Sequence, residues 1–188
     1  MGSIPNGARR GLDVGCGEGE TTRRLRMRVP SVVGLDRDLP SVELARSYDD
    51  DIDYVHGDFG GVDLPDGAFD VVTAVAVLHH LDQRTGLAKL AALVRPGGVL
   101  LVVGMARSRA VGDFARDAVD AVAVRRHTFT KDVWETPAPK LWPPPLTYGD
   151  TRAASLSVLP TGQFRRVGYF RYGLTWVRPP DANSPGST

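Results

Sequence analysis

Residues 11–20 read GLDVGCGEGE, a short apolar run that ends in three glycines with the spacing Gly15-x-Gly17-x-Gly19. A strand that ends in clustered glycines and leads into a helix lets a ligand approach backbone N–H groups, because no Cβ stands in the way. The triplet alone is also compatible with a tight turn of purely structural purpose. Its meaning therefore depends on the residues around it.

Two acidic residues flank this glycine turn, residues 15–19. The dinucleotide fingerprint G-x-G-x-x-G has its third glycine where this sequence has Glu20. An anionic side chain there would repel a pyrophosphate. Asp13 lies just before the first glycine. The pattern favours a ligand that lacks a pyrophosphate and carries a cation, and it disfavours a NAD-dependent oxidoreductase.

Strand-like and helix-like segments alternate through the first hundred residues, which predicts an α/β fold with a parallel sheet and crossover helices. The fourth predicted strand, FDVVTAVAV, is the most apolar, as expected of a central strand that is buried on both faces. The predicted strands of this half are 8–14, 31–36, 52–58, 69–77 and 99–105, and the helices are 20–29, 39–48 and 83–94. Two further helices are predicted at 114–127 and 147–159, and two closing strands at 163–170 and 172–178.

Acidic residues recur where the predicted strands end. Asp36 ends the second strand, where its carboxylate can accept hydrogen bonds from both hydroxyls of a ribose. Asp58 ends the third strand and can accept from an exocyclic amine, while the ring of Phe59 lies against a purine. Together with Asp13 these residues fall at the carboxyl ends of parallel strands, the edge at which open α/β sheets bind ligands. Each alone could be an ordinary loop carboxylate.

Five segments together resemble the class I S-adenosylmethionine-dependent methyltransferases, in particular the methyltransferase type 11 domain. They are LDVGCGEG, VVGLDRD, HGDF, FDVVTAVAVLHHL and LVRPGGVLLVV, within residues 10–105. The C-terminal WPPP and FRYGLTWVRP segments are also similar to bacterial methyltransferases. The resemblance implies a Rossmann-like seven-stranded sheet, mostly parallel with an antiparallel last strand, and helices on both faces. The implied reaction transfers a methyl group from S-adenosylmethionine to an O or N atom of a small molecule.

The resemblance also implies which residues bind the cofactor. Asp13, Gly15 and Gly17 would surround the methionine part, and Val75 would line it through its backbone. Asp36 would bind the ribose, Arg37 would lie beside the adenine, and Asp58 with Phe59 would contact the adenine ring. We include Cys16 and Gly19 because they belong to the same turn, although Cys16 is also compatible with a small packing residue.

The sequence says less about the residues that would bind the methyl acceptor. His79 and His80 follow the fourth strand, where one of them could face the substrate and take its proton. Alternatively, they pack and cap the next helix. The segment from about 106 to 150 would cover the substrate, with Trp134, Trp142 and Tyr148 supplying apolar contacts.

The absence of two sequence motifs narrows the class of molecule that could accept the methyl group. Val75-Ala76-Val77 stands where amino-methylating nucleic-acid and glutamine enzymes of this superfamily carry Asp/Asn-Pro-Pro-Tyr or Phe. No Pro-Cys pair offers a nucleophile for pyrimidine C5 methylation. Small-molecule methylation is therefore the leading hypothesis. Its rival within the fold is an S-adenosylmethionine-binding protein without methyl transfer, such as a repurposed cyclase or a regulatory subunit.

Composition adds weaker constraints. The formal net charge of +1 over 188 residues gives no global reason to expect nucleic acid or an anionic membrane as a partner. The single cysteine excludes intramolecular disulfides and agrees with a reducing cytosol, and no segment approaches the roughly 20 apolar residues of a membrane helix. The four histidines lack metal-ligand spacing, so no metal is predicted. Arginine supplies nearly all the positive charge, which suggests a high-GC bacterium; we expect a cytoplasmic protein.

We expect one domain over residues 1–178 and a disordered tail over 179–188. The family normally has a helical segment before its first strand that closes over the site, whereas only seven residues precede the strand here. Either the natural beginning is missing or the site is open. We therefore predict a broad, solvent-accessible cleft above the glycine turn, with a second subunit as a candidate cover.

Overall fold

A computed structural model describes residues 4–49, 51–107, 144–167 and 171–181. Seven strands in these ranges form one sheet. They are β1 Arg10–Val14, β2 Ser31–Asp36, β3 Asp53–His56, β4 Phe69–Val75, β5 Val94–Met105, β6 Gln163–Arg166 and β7 Arg171–Val177. The sheet order is β3-β2-β1-β4-β5-β7-β6; β1 to β5 are parallel, and β7 is antiparallel to β5 and β6. The predicted fold class is confirmed.

In the described residues, helices lie between β1 and β2, between β2 and β3, between β4 and β5, and before β6. They are α1 Glu20–Arg26, α2 Leu39–Tyr48, α3 Gln83–Leu93 and α4 Tyr148–Val158, with a short 3-10 turn at Leu78–His80. Asp38 caps α2 by accepting a hydrogen bond from the Ser41 N–H at 3.1 Å. Thr147 and Asp150 form a capping box at the start of α4. Such caps satisfy N–H groups that have no partner inside the helix.

The core lies around the middle of the sheet. Leu12 of β1 pairs with Val72 of β4, and Val72 pairs with Leu100 of β5. All three side chains are fully buried. Each contributes about 1.5 to 3 kcal/mol by leaving water. This row fixes the alignment of β1, β4 and β5, and therefore the positions of their carboxyl ends.

The beginning of β5 differs from the sequence prediction. The strand starts at Val94, five residues earlier than expected, because Val94 pairs with Phe69. Pairing with β4 resumes at Val99, and the intervening residues form an irregularity in which Gly97 has a φ of 76°. The N–H of Gly97 donates to the carbonyl of Arg178 at 2.9 Å. The break that the sequence predicts between α3 and the fifth strand therefore lies inside β5, as this irregularity.

Several predicted segments lie outside the described residues. They are the helix at 114–127, most of the substrate-covering segment, the last three residues of the strand predicted at 163–170 and the end of the tail. Predictions for them, including the one-domain boundaries, stay predictions. Among the described helices α1 ends at Arg26, three residues before its predicted end.

One carboxylate anchors the first strand at the edge of the sheet opposite the ligand-binding edge. Asp70 of β4 accepts hydrogen bonds from the backbone N–H groups of Arg9 at 2.8 Å and Arg10 at 2.7 Å, and it pairs with Arg95. Burial alone would raise the pKa of Asp70, but these hydrogen bonds and the charge of Arg95 together hold it below its usual value. The ionised form is therefore the one that stabilises the fold.

We predict that Asp70→Ala lowers the free energy of unfolding by about 2 to 4 kcal/mol, because two partly buried N–H groups and one arginine lose their acceptor. Urea denaturation followed by circular dichroism measures the change. Asp53→Ala, which removes an exposed carboxylate from the start of β3, should change stability by less than about 0.5 kcal/mol. Equal stabilities for the two variants would contradict the anchoring role.

Candidate active site

The glycine turn follows β1 directly and has a backbone that glycine favours. The φ angles of Gly15, Gly17 and Gly19 are 69°, 52° and 81°, in the left-handed region that other residues rarely adopt. The N–H groups of Gly15 and Cys16 donate to the carbonyl of Leu35 at 2.7 and 3.1 Å. The turn is thus held against the end of β2.

Val77 packs against the turn from the end of β4. A Cβ on Gly15 would lie 2.1 Å from the Cγ2 atom of Val77, so any side chain at this position would displace it. Ala76 is the one non-glycine residue in the described ranges with a positive φ, 57°. An L-residue in this region costs about 1 to 2 kcal/mol. This strained backbone brings Val77 to the turn and leads the chain into the 3-10 turn.

Asp13 does not face the ligand side, which corrects the expectation from the sequence. Its side chain is 1% exposed and accepts hydrogen bonds from the hydroxyls of Thr22 and Thr73, both at 2.7 Å. Burial raises the pKa of the Asp13 carboxyl to about 6, although the two hydroxyl hydrogen bonds oppose the shift. The residue braces α1 and β4 beneath the turn rather than meeting a cation.

Gly19 also has a structural role, at the start of α1. It is the N-cap of α1, and a Cβ there would lie 2.3 Å from the hydroxyl of Tyr54. Glycine is thus required by the close approach of β3.

A cavity of about 820 Å³ lies along the carboxyl ends of β1, β2, β3 and β4. Asp13 and Gly19 are not among the residues that line it. The other residues predicted for the cofactor do line it: Gly15, Cys16, Gly17, Asp36, Arg37, Asp58, Phe59 and Val75. Ile4 and Ala8, near the start of the described chain, instead pack in a hydrophobic cluster with Leu25. The predicted openness of the cleft stays a prediction, because much of the covering segment is outside the described residues.

Asp36 joins the turn to the cavity wall. Its carboxylate accepts hydrogen bonds from the N–H of Gly17 at 2.7 Å and from the N–H of Asp38 at 2.9 Å. An ionised carboxylate offers about four lone-pair positions, so it can still accept from two hydroxyls. No atom lies within 4 Å of the place that a Cβ would occupy on Gly17. The turn is thus open at Gly17, whose N–H donates to this carboxylate.

Other cavity residues refine the expected chemistry. Cys16 is buried, and burial raises the pKa of its thiol, which makes it a packing residue rather than a nucleophile. Glu20 lines the cavity but pairs with Arg23 at 3.3 Å and Arg24 at 2.7 Å. Its charge is therefore partly compensated, which weakens its repulsion of a pyrophosphate. Phe59 is 7% exposed, belongs to the main hydrophobic core and is among the residues that line the cavity.

The two histidines face different cavities. His80 is exposed and lines the large cavity, whereas His79 is buried and lines a second cavity of about 530 Å³. Their ring centroids are 4.0 Å apart. The alternative that they cap the next helix is wrong, since Asp82 accepts the N–H of Thr85 there. Burial, together with the neighbouring imidazole of His80, lowers the pKa of His79 to about 4.

Of the three predicted substrate contacts, only Tyr148 lies in the described part of the chain, and it is not among the residues that line the second cavity. Tyr148 is 8% exposed, belongs to the main hydrophobic core, and has the guanidinium of Arg166 4.1 Å from its ring centroid. Its packing at the start of α4 directs it inward. Trp134 and Trp142 lie outside the described residues.

The structure adds residues that sequence reasoning missed. Thr73 is the hydroxyl residue within the apolar strand β4, in register with Asp13, and a polar residue inside a doubly buried strand is itself a signal for an internal partner. Ser41 and Tyr48 line the cavity from α2, and nothing in their spacing indicates it.

In the described ranges, no group of three or more His, Cys, Asp or Glu side chains could hold a metal ion. Likewise, none of the helices found there is long and apolar enough to cross a membrane.

Comparison with known proteins identifies the family. The family model described as a methyltransferase domain matches residues 12–102. A protein of Mycobacterium tuberculosis (strain H37Rv), named an uncharacterized methyltransferase, is 37% identical over 179 residues, which cover 94% of this chain and 90% of that protein. This chain belongs to the S-adenosylmethionine-dependent methyltransferases.

Two further matches agree with this family. A probable S-adenosylmethionine-dependent methyltransferase of Mycolicibacterium smegmatis is 37% identical over 92 residues, 48% of this chain and 36% of that protein. The solved structure of a SAM dependent methyltransferase from Aquifex aeolicus has a TM-score of 0.61 at 15% identity and covers 90% of this chain and 81% of that one. The latter supports the fold alone.

S-adenosylmethionine is the cofactor of this methyltransferase, and the residues present fit it. The large cavity has the volume for a cofactor of this size. It combines a glycine-rich turn, the Asp36 carboxylate, which can accept further hydrogen bonds, and the aromatic residue Phe59. These features suit an amino-acid tail, a ribose and a purine.

We predict that Asp36→Ala weakens the binding of S-adenosylhomocysteine to the methyltransferase by about 10 to 100-fold, since hydrogen bonds to a charged group contribute about 1.5 to 3 kcal/mol each. Isothermal titration calorimetry measures the dissociation constant. Asp63→Ala removes an exposed carboxylate that does not line the cavity and should leave it unchanged. An unchanged constant in folded Asp36→Ala would show that Asp36 is only a loop residue.

Proposed function

We propose that this methyltransferase methylates an O or N atom of a small molecule that binds in the second cavity. The observation that carries the proposal is the shared wall of the two cavities: Leu81 lines both, and His79 and His80 lie on either side of it. A cavity of about 530 Å³ is of the size that small-molecule sites have. An acceptor there would lie next to the cofactor cavity.

His79 is one of the polar residues that line this second cavity, together with Asp82, Gln83, Arg84 and Asp150. The Nδ1 atom of His79 is buried and has no hydrogen-bond partner among the described residues, a situation that costs free energy unless a ligand completes it. The lowered pKa keeps the imidazole neutral near pH 7. In the tautomer with its hydrogen on Nε2, His79 would accept a hydrogen bond from the hydroxyl or amine of the acceptor.

The chain's contribution to the reaction would be mainly positional. When bound, S-adenosylmethionine would supply an electrophilic methyl group on a sulfonium. The acceptor's lone pair would attack this carbon in line while the C–S bond breaks and its electron pair stays on the sulfur of S-adenosylhomocysteine. The 3-10 turn, held by Ala76 and Val77 against the glycine turn, would fix the acceptor relative to the cofactor cavity. Orientation of this kind can be worth effective molarities of about 10⁵ M or more. Because its pKa is lowered to about 4, His79 would be a weak proton acceptor and would mainly orient the acceptor's hydroxyl or amine through a hydrogen bond.

We infer that the enzyme acts in the cytoplasm of a bacterium. The mycobacterial relatives and the arginine-rich composition support the bacterial source. The single cysteine supports a reducing compartment.

The test is a transfer assay with the full chain, methyl-labelled S-adenosylmethionine, a panel of small hydroxyl and amino compounds, and RNA. We expect label in small molecules. We also expect His79→Gln to lower kcat by about 100-fold, the size of effect that a misplaced reactant can have, without changing the affinity for S-adenosylhomocysteine. Label recovered only in RNA, or wild-type turnover by His79→Gln, would contradict the proposal.

A further inference from the structure

We propose that Lys89 is a positioning residue for the adenine side of the cofactor site, acting through the loop that follows β3. The residue lies on α3 and does not line the cavity. The inference rests on the proposed placement of the adenine beside Asp58 and Phe59.

The ammonium group of Lys89 binds three carbonyl oxygens of that loop. Its Nζ atom donates to the carbonyls of Phe59 at 2.5 Å, Gly60 at 3.1 Å and Val62 at 3.3 Å. It also lies 4.9 Å from the centroid of the Phe59 ring, within the range of a cation–π contact. A lysine ammonium has three hydrogens to donate, and this loop uses all of them.

The N–H groups of the same loop are bound from the other side by Asp58. The carboxylate of Asp58 accepts the N–H of Gly60 at 2.6 Å, and its backbone carbonyl accepts the N–H groups of Gly61 at 3.0 Å and Val62 at 2.9 Å. Asp58 therefore organises the donors of the loop, and Lys89 organises its acceptors. Both sets of bonds fix the one aromatic ring that the loop presents to the cavity.

The loop needs such restraint because it contains two consecutive glycines, which have the largest conformational freedom in an unrestrained chain. Without Lys89 the three carbonyls would be solvated separately, and the loop would populate other conformations. The apparent dissociation constant rises in inverse proportion to the fraction of the binding-competent conformation. Loss of Lys89 would thus weaken cofactor binding from a distance.

The experiment measures S-adenosylhomocysteine binding by calorimetry and the melting temperature for wild type and Lys89→Met. We expect the dissociation constant to rise about tenfold in Lys89→Met, as it would if the competent fraction fell to about one tenth, and Lys89→Arg to restore most of the affinity. Lys89→Gln keeps a side-chain NH₂ group that can still donate, so its dissociation constant should lie between those of wild type and Lys89→Met. It replaces Lys89→Met if that variant does not fold.

Arg178→Met is the matched control. Arg178 also holds backbone carbonyls, those of Ala92 at 3.1 Å and Val94 at 2.8 Å, but it does so far from the cavity. It should lower the melting temperature without changing the dissociation constant. If Lys89→Met, or its replacement Lys89→Gln, behaves in the same way, Lys89 is merely structural and the inference is overturned.

Phe59→Ala separates this inference from the site on which it rests. Weaker binding in Phe59→Ala with unchanged binding in the Lys89 variants would overturn only the role of Lys89. Unchanged binding in Phe59→Ala would refute the placement of the adenine, and the inference with it.

Discussion

The carboxylate of Asp13, held by the hydroxyls of Thr22 and Thr73, connects the three elements on which the site is built. β1 carries the carboxylate, α1 carries one hydroxyl and β4 the other, each at 2.7 Å. Burial raises the pKa of this carboxyl to about 6, which shows that the ionised group is costly there and depends on its two donors. The glycine turn between β1 and α1 therefore has a fixed position relative to the end of β4.

The placement of the residues around the two cavities depends on the fixed position of the glycine turn. Asp36 reaches the turn from β2 through the N–H of Gly17, and the strained backbone at Ala76 places Val77 against Gly15 from β4. The same strained residue leads into the 3-10 turn, which directs His80 to one cavity and His79 to the other. A single set of backbone restraints thus shapes both the cofactor cavity and the wall that it shares with the second cavity.

The sequence predicts much of this arrangement, because hydrophobic alternation and glycine spacing act locally. It correctly predicts strands β1 to β5 and the central position of β4. Eight of the ten residues predicted for the cofactor line the cavity, but most of the cavity lining is not predicted. The sequence does not show that β5 begins at Val94, since this depends on pairing with Phe69, which is distant in sequence.

Side-chain partners are harder to predict for the same reason. Asp13 points inward because β1 is buried on both faces, so a polar residue there needs an internal partner; the sequence interpretation assigned it to the ligand instead. Lys89 contacts a loop 27 to 30 residues away, and no periodic pattern encodes such a contact. Local rules therefore locate the site, and tertiary contacts decide which residue performs each role.

The central claim is that the glycine turn and Asp36 form a site for an adenosyl sulfonium and not for a dinucleotide. Isothermal titration calorimetry of the full chain with S-adenosylmethionine, S-adenosylhomocysteine and NAD tests it most directly. The account predicts saturable binding of both adenosyl ligands and no binding of NAD. Tight binding of NAD with no response to either adenosyl ligand would contradict it.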